Sequence, residues 1–210
     1  VHQMIDDNPD NSQYRSLLGD IYSLFGDYGK AENIYVANIK RDTTDLNSLT
    51  SLSNIYLMSD RDSLYCETVE CILKNERLEA EQRVSMLLDY ARYKDRSDTT
   101  YMKGFFEDML RLPFDRLEIA DLYVQYLLYR EASPDTIMPV LEIILELEPE
   151  NRSALLQMLV FAIERNDYEE VIRCSDNAIL YIPDMLELYY YKGIASYLLG
   201  KKQECTGIYE

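Results

Sequence analysis

Glycine and proline are scarce in this 210-residue chain, at 7 and 6 residues, and tryptophan is absent. No glycine-rich loop of the kind that cradles phosphate groups occurs in the sequence. The apolar residues, 47% of the chain, are instead rich in Leu, Ile and Tyr, which suits helices packed on helices. A chain of this length can form one domain around one core, but the composition favours a repeat array whose core is spread along its length.

Histidine occurs once, as His2 near the start of the chain. Nucleophilic and acid–base sites usually contain a histidine, so a Ser–His or Cys–His pair is not expected. The spacing of Cys66 and Cys71 does not suit a zinc site, and acidic pairs such as Glu169 and Glu170 are interpreted as solvated helix faces. We therefore predict a protein that is not an enzyme and that needs no cofactor and no metal.

Positive charge is in deficit, with 21 Lys and Arg against 38 Asp and Glu and a net charge of −17. Such a chain repels polyphosphates and anionic lipid, so nucleic acid is not an expected partner. A basic or apolar polypeptide suits it better, although solvated acidic faces explain the charge without any partner. The sequence contains no run of about 18 apolar residues, so we predict no transmembrane segment.

The four cysteines predict no disulfide framework. Cys66 and Cys71, five residues apart on one helix, point in different directions and are not expected to pair. We predict that each of the four, with Cys174 and Cys205, is buried as a small apolar residue. Free thiols slightly favour a cytoplasmic location, and they leave open a periplasmic protein or a lipoprotein-anchored precursor.

A constant internal period organises the chain. Tyr22, Tyr56 and Tyr90 follow one another at equal intervals, each after a short apolar group. Pro149 and Pro183 are separated by the same interval, and each closes an apolar segment. The turn sequence Gly-Asp-Tyr at 26–28 returns as Asn-Asp-Tyr at 166–168. This pattern predicts a helical hairpin that recurs along the sequence.

These residues resemble the tetratricopeptide repeat (TPR), a helix-turn-helix unit of about 34 residues with small and aromatic positions where its two helices cross. The unit that matches best carries Leu18-Gly19, Tyr22, Gly26-Asp27-Tyr28, Ala31 and Tyr35. The resemblance implies an all-α fold, a right-handed α–α superhelix in which helix-turn-helix repeats form one solenoid over 1–210. Its repeats are expected at 12–45, 46–79, 80–115, 116–151 and 152–185, the second to fourth of which depart from the family signature.

Both ends of the sequence read as incomplete units. Residues 1–11 resemble the end of a truncated repeat, and 186–210 resemble the start of another. Because terminal repeats normally carry a polar cap, this pattern indicates a piece of a longer bacterial TPR array.

Several residues are expected to begin the helices. Asp45, Asp115 and Asn151 are predicted N-caps, and Glu118 suggests a capping box with Asp115. Pro139 is acceptable if its helix begins at residue 135 or 136, which places the proline in the first turn.

The resemblance also implies a binding surface, because TPR proteins grip extended peptides or helices in a groove lined by first helices. By register with the family's contacting positions, nine residues are expected to face it: Gln13, Ser16, Asp20, Asn47, Thr50, Asn54, Tyr190, Tyr191 and Ile194. The two tyrosines also suit packing against a further unit, and an exposed Asn needs no ligand to explain it. Only Asn54 fits the Lys and Asn clamp with which some members hold acidic chaperone tails, so that activity is not inferred.

Two functions follow from this interpretation. The first is a protein–protein interaction scaffold that binds a peptide or protein segment in its concave groove. The alternative is a structural or self-association module that supports another domain of a longer chain through its open helical ends.

Overall fold

The computed structural model describes residue 8, residues 11–95 and residues 99–200. Most of the truncated unit predicted at 1–11, and the last ten residues with Cys205, lie outside this range. The described residues form two compact units, Val1–Phe114 (unit 1) and Asp115–Glu210 (unit 2). Whether they belong to one solenoid, with the repeat boundaries expected above, stays a prediction.

Helices account for the regular structure of both units. In unit 1 they are α1 (Ser12–Leu24), α2 (Tyr28–Arg41), α3 (Leu46–Met58), α4 (Asp62–Leu73), α5 (Ala80–Asp95) and α6 (Thr99–Met109). In unit 2 they are α7 (Arg116–Tyr129), α8 (Pro134–Leu147), α9 (Arg152–Glu164), α10 (Tyr168–Tyr181) and α11 (Leu186–Leu198). Helices joined by a short turn pack on each other as hairpins, and each hairpin packs on the next within its unit. The predicted all-α repeat fold is confirmed.

A residue in the left-handed conformation follows each of the helices α1, α3, α7, α9 and α11. These residues have φ between 51° and 77° and are Gly26, Asp60, Glu131, Asn166 and Gly200. In the first hairpin the N–H of Asp27 then donates to the carbonyl of Tyr22 at 2.9 Å, and Arg61 does the same to Tyr56 at 2.9 Å in the second. This Schellman arrangement satisfies carbonyls at the end of the helix and starts the return of the chain.

The copied turn also starts the second helix of its hairpin. Asp27 and Asp167 accept hydrogen bonds from the backbone N–H groups of Lys30 and Glu170, at 3.3 and 3.1 Å. The same aspartate therefore ends the turn and caps the next helix.

The N-cap predictions for first helices are confirmed in two of three cases. The side chains of Asp45 and Asn151 accept hydrogen bonds from Ser48 and Ala154. The capping box at Asp115 is wrong, because Asp115 has φ of 53° and its side chain makes no cap hydrogen bond. A residue with left-handed backbone does not take the extended conformation that N-capping side chains use.

Pro139 lies inside its helix. The expectation that it occupies the first turn is wrong, because α8 begins at Pro134 and includes Pro139. A proline at the first helical position loses no hydrogen bond and already has a helical φ, so Pro134 starts the helix earlier than expected.

The cysteine prediction holds only in part. Cys66 and Cys174 are buried, as predicted, but Cys71 is exposed. Five residues correspond to about 140° around a helix, so one face cannot bury both Cys66 and Cys71.

The core of unit 1 lies between the two helices of a pair and between neighbouring pairs. Tyr35 of α2 packs with Leu52, Ile55 and Tyr56 of α3. Gly19 of α1 lies under the Tyr35 ring, and a Cβ at this glycine would be 2.7 Å from the nearest ring carbon. The absence of a side chain at position 19 therefore lets α1 and α2 approach closely.

This contact leads to a stability prediction. Gly19→Ala is expected to lower the free energy of unfolding by about 2 kcal/mol, because Tyr35 is almost fully buried and cannot move aside cheaply. Gly104, inside α6, has open space around the same position. Gly104→Ala is expected to raise the free energy of unfolding by about 0.5–1 kcal/mol through helix propensity alone. Urea unfolding followed by circular dichroism measures both, and a Gly19→Ala variant as stable as the wild type would contradict the close approach.

Candidate functional site

Two neighbouring depressions lie along the first helices of unit 1. One, of about 610 Å³, is lined from α1 by Gln13, Ser16 and Asp20 and from α3 by Asn47 and Thr50. The other, of about 640 Å³, lies among α3, α4 and α5, and the residues of α3 that line it include Thr50 and Asn54. Thr50 lines both, so the two adjoin at this residue. We call the pair the first-helix groove.

Three rows of equivalent residues cross this groove. One row has amides and one has hydroxyls, whereas the third has two carboxylates and an amide. Spacings of three and four residues put the rows on one face of each helix, and the repeat period copies them from α1 to α3 and α5. The rows are Gln13, Asn47 and Gln82; Ser16, Thr50 and Ser85; and Asp20, Asn54 and Asp89.

The third repeat supplies groove residues that the sequence interpretation missed. Gln82, Ser85 and Asp89 of α5 line the second depression. They follow Asn47, Thr50 and Asn54 at close to one repeat interval, so the period contained the signal. They were not identified because this repeat departs from the family signature.

Two of the predicted groove residues also hold the hairpins together. The Ser16 hydroxyl accepts a hydrogen bond from the amide of Asn38 at 3.1 Å, and the Asp20 carboxylate accepts one from the Tyr35 hydroxyl at 2.6 Å. Burial and this hydrogen bond raise the pKa of Tyr35, so the phenol stays protonated and keeps donating. Gln13, Asn47, Thr50 and Asn54 are exposed on the groove surface.

The remaining predicted residues lie in unit 2. Tyr190, Tyr191 and Ile194 are on α11, where their side chains are 55%, 38% and 38% exposed. The two tyrosine rings meet edge to face, with centroids 5.5 Å apart. These three residues form an aromatic and apolar surface on α11, and the role predicted for them in peptide binding stays a prediction.

The Cys174 thiol lines a depression of about 330 Å³ in unit 2, but burial raises its pKa to about 12, so it is not a thiolate at neutral pH. Among residues 11–95 and 99–200 no group of three His, Cys, Asp or Glu residues is placed to hold a metal ion. The same part of the chain has no helix that is both long and apolar enough to span a bilayer.

Comparison with solved structures finds tetratricopeptide proteins. YrrB, described as a TPR protein with an unusual peptide-binding site, is 14% identical over 91% of this chain and 96% of its own, with a TM-score of 0.42. PilF of Pseudomonas aeruginosa is 13% identical over 94% and 88%, with a TM-score of 0.42. A tetratricopeptide repeat protein from Parabacteroides merdae is 16% identical over 94% and 77%, with a TM-score of 0.34.

No protein-family model and no curated protein sequence matches the chain. We assign the architecture from the helices themselves, which pair through short turns and recur at a near-constant interval within each unit. In its fold this chain is an all-α repeat protein built from helical hairpins.

Proposed function

We propose that the chain is a protein–protein interaction scaffold whose first-helix groove binds an extended segment of another polypeptide. One observation carries the proposal: amide, hydroxyl and carboxylate side chains recur in register across three first helices and line two adjoining depressions. Each amide offers both donors and an acceptor, so a row of amides can pair with the N–H and C=O groups of a peptide backbone.

The groove suits a peptide better than a small molecule. Its two depressions are open and adjoin along three helices, whereas sites for small ligands usually enclose most of the ligand surface. The groups that line it sit on helices packed into the core of unit 1, so they are already ordered before a partner binds. Little conformational entropy is then lost on the scaffold side.

Selection of peptides from a random library tests this function. The immobilised chain is panned against phage-displayed random dodecapeptides, and the enriched sequence is synthesised with a fluorescein label. Fluorescence anisotropy then gives its Kd for the wild type and for a triple variant, Asn47→Ala, Asn54→Ala and Gln82→Ala. If each lost amide hydrogen bond contributes about 0.5–1.5 kcal/mol, the Kd is expected to rise about tenfold or more.

Asn33→Ala is the matched control. Asn33 is an exposed amide on α2, outside the residues that line the first-helix groove, so its loss is expected to change the Kd less than about twofold. A library that yields no enriched peptide, or a triple variant that binds as tightly as the wild type, counts against the proposal.

Self-association is the second candidate function. An exposed apolar face on helix α11 favours it. Four of its apolar or aromatic residues each have more than half of their surface exposed: Leu186, Tyr190, Tyr197 and Leu198. Sedimentation equilibrium of the same sample separates the two candidates. A monomer across the concentration range removes self-association and leaves peptide binding untouched.

A further inference from the structure

The part of the first-helix groove among α3, α4 and α5 differs chemically from the part between α1 and α3. We call this part the anchor pocket. Its walls combine apolar side chains, tyrosines and carboxylates, including Leu57, Tyr65, Val69, Leu78, Glu81 and Asp89. The depression between α1 and α3 is lined mainly by short polar side chains.

The apolar side chains of the anchor pocket belong to the core of unit 1. Val69 and Leu78 are buried, with 3% and 8% of their surface exposed, so the base of the pocket is fixed by packing. Leu57, at its edge, is partly exposed. Such a surface can accept the aliphatic part of a long side chain and remove it from water.

Carboxylates supply the charge of this pocket. Glu81 and Asp89 both lie on α5, eight residues apart, which corresponds to about 12 Å along the helix axis. Among the residues that the structure describes, the side chains that line the pocket include no Lys, Arg or His. Arg92 lies nearby and contacts Asp89 at 3.5 Å, but both side chains are more than 70% exposed, so this ion pair is weak and easily replaced.

Tyr65 and Asp89 both line the anchor pocket. The ring of Tyr65 meets that of Tyr93 edge to face, with centroids 5.0 Å apart. Burial raises the pKa of Tyr65, and the negative charge of Asp89 raises it further, which indicates that the carboxylate acts on this phenol. An aromatic ring and a carboxylate in the wall of one partly apolar pocket suit a guanidinium, which pairs with carboxylates and packs on aromatic faces.

We propose that the anchor pocket receives an arginine side chain, and that the partner of this chain is therefore an extended segment with a basic residue at a fixed position. The arginine stem covers Val69 and Leu78, and its guanidinium lies between Tyr65 and Asp89. This inference rests on the proposed function, because it specifies the segment that the first-helix groove binds. The net charge of −17 agrees with it, since a negative protein attracts a basic segment at long range.

The test uses the full chain and the fluorescein-labelled dodecapeptide obtained from the random library. Its basic residue is replaced by citrulline, which keeps the shape of arginine and removes the charge. On the protein, Asp89→Asn removes the charge of one carboxylate without changing its size. Glu107→Gln on α6 is the matched control, because Glu107 is exposed and lies outside the anchor pocket.

The arginine peptide is expected to bind Asp89→Asn about tenfold more weakly than the wild type, and Glu107→Gln within about twofold of it. The citrulline peptide is expected to bind the wild type and Asp89→Asn equally, because the two changes remove one interaction.

Three other results would overturn the inference, and they separate it from the proposed function. Enriched peptides without a conserved basic residue, or a citrulline effect of the same size in the wild type and Asp89→Asn, would leave a peptide-binding groove that does not recognise arginine. A library that enriches no peptide would remove the binding function, and the inference would fail with it.

Discussion

Arg83→Ala is expected to lower the free energy of unfolding of the chain by about 4 kcal/mol, since it leaves buried acceptors without a donor. Arg83 is fully buried in unit 1. Its guanidinium donates to the backbone carbonyls of Leu73, Asn75 and Leu78, with distances of 2.9 Å to Asn75 and 2.8 Å to Leu78. These carbonyls end α4 and form the connection to α5, so one side chain satisfies the acceptors of the link between two hairpins.

The expected magnitude comes from the acceptors that the substitution leaves behind. An unsatisfied buried carbonyl costs about 1–3 kcal/mol. The variant leaves the carbonyls of Leu73 and Leu78 without the guanidinium donor, whereas the carbonyl of Asn75 still accepts from the N–H of Leu78 at 3.2 Å. The guanidinium also lies over the Phe114 ring, 4.3 Å from its centroid, and this contact is lost as well. Arg83→Lys keeps the charge but not the planar group of donors. Its free energy of unfolding is therefore expected to lie between that of the wild type and that of Arg83→Ala.

Urea unfolding measures these differences, with circular dichroism and tyrosine fluorescence followed together to check for one transition. Arg77→Ala is the control, because the Arg77 side chain is exposed and contacts Asp42 at 3.0 Å on the surface. An exposed ion pair of this kind contributes less than about 1 kcal/mol. An Arg83→Ala variant that loses no more than Arg77→Ala would contradict the role given to the buried guanidinium.

Asn38→Ala is expected to lower the free energy of unfolding by about 3 kcal/mol, because it breaks a buried hydrogen-bond network. Asn38 of α2 is buried, and its amide donates to the hydroxyls of Ser16 in α1 and Ser48 in α3, both at 3.1 Å. Its carbonyl oxygen accepts from Nε of Arg15 at 2.9 Å. The network therefore connects three helices, and removing its centre takes a hydrogen bond from each of Ser16, Ser48 and Arg15.

Differential scanning calorimetry and urea unfolding measure this loss. Asn33→Ala, on the same helix but exposed, is expected to change the free energy of unfolding by less than about 0.5 kcal/mol. The comparison holds the residue type and the helix constant and varies only burial. Equal stability of the two variants would mean that the network around Asn38 contributes little.

The sequence predicted the parts of the fold that follow from spacing. First helices begin at residues 12, 46 and 80 in unit 1, as the intervals between Tyr22, Tyr56 and Tyr90 lead one to expect. The glycine at position 26 predicts the turn there, because glycine adopts a left-handed conformation without strain. Asp60 and Glu131 occupy the same position of their turns, but neither residue type signals that conformation. Tertiary packing decides those turns.

The polar contacts in the interior of the protein could not be predicted from the sequence. Arg83 and Asn38 look like surface residues of a helix, and their burial depends on which acceptors the neighbouring hairpin presents. The exposure of Cys71 was within reach, because its distance of five residues from Cys66 already placed the two on different faces.

The residues of the candidate site were likewise predicted only in part. Gln13, Asn47, Thr50 and Asn54 were predicted by register, and they do line the first-helix groove. The contribution of α5 required the structure, because the apolar base of the anchor pocket joins residues from α4 and α5 that no single-helix pattern connects.

Side-chain amide resonances of the ¹⁵N-labelled chain, recorded while the selected dodecapeptide is added, test groove binding most directly. Single substitutions assign the NH₂ signals of Gln13, Asn47, Asn54 and Gln82, with Asn33 on α2 as the internal reference. Binding in the first-helix groove is expected to shift the four groove signals with one common Kd and to leave Asn33 unchanged. Shifts that spare all four while the peptide still binds would place the partner elsewhere and contradict the function proposed for this chain.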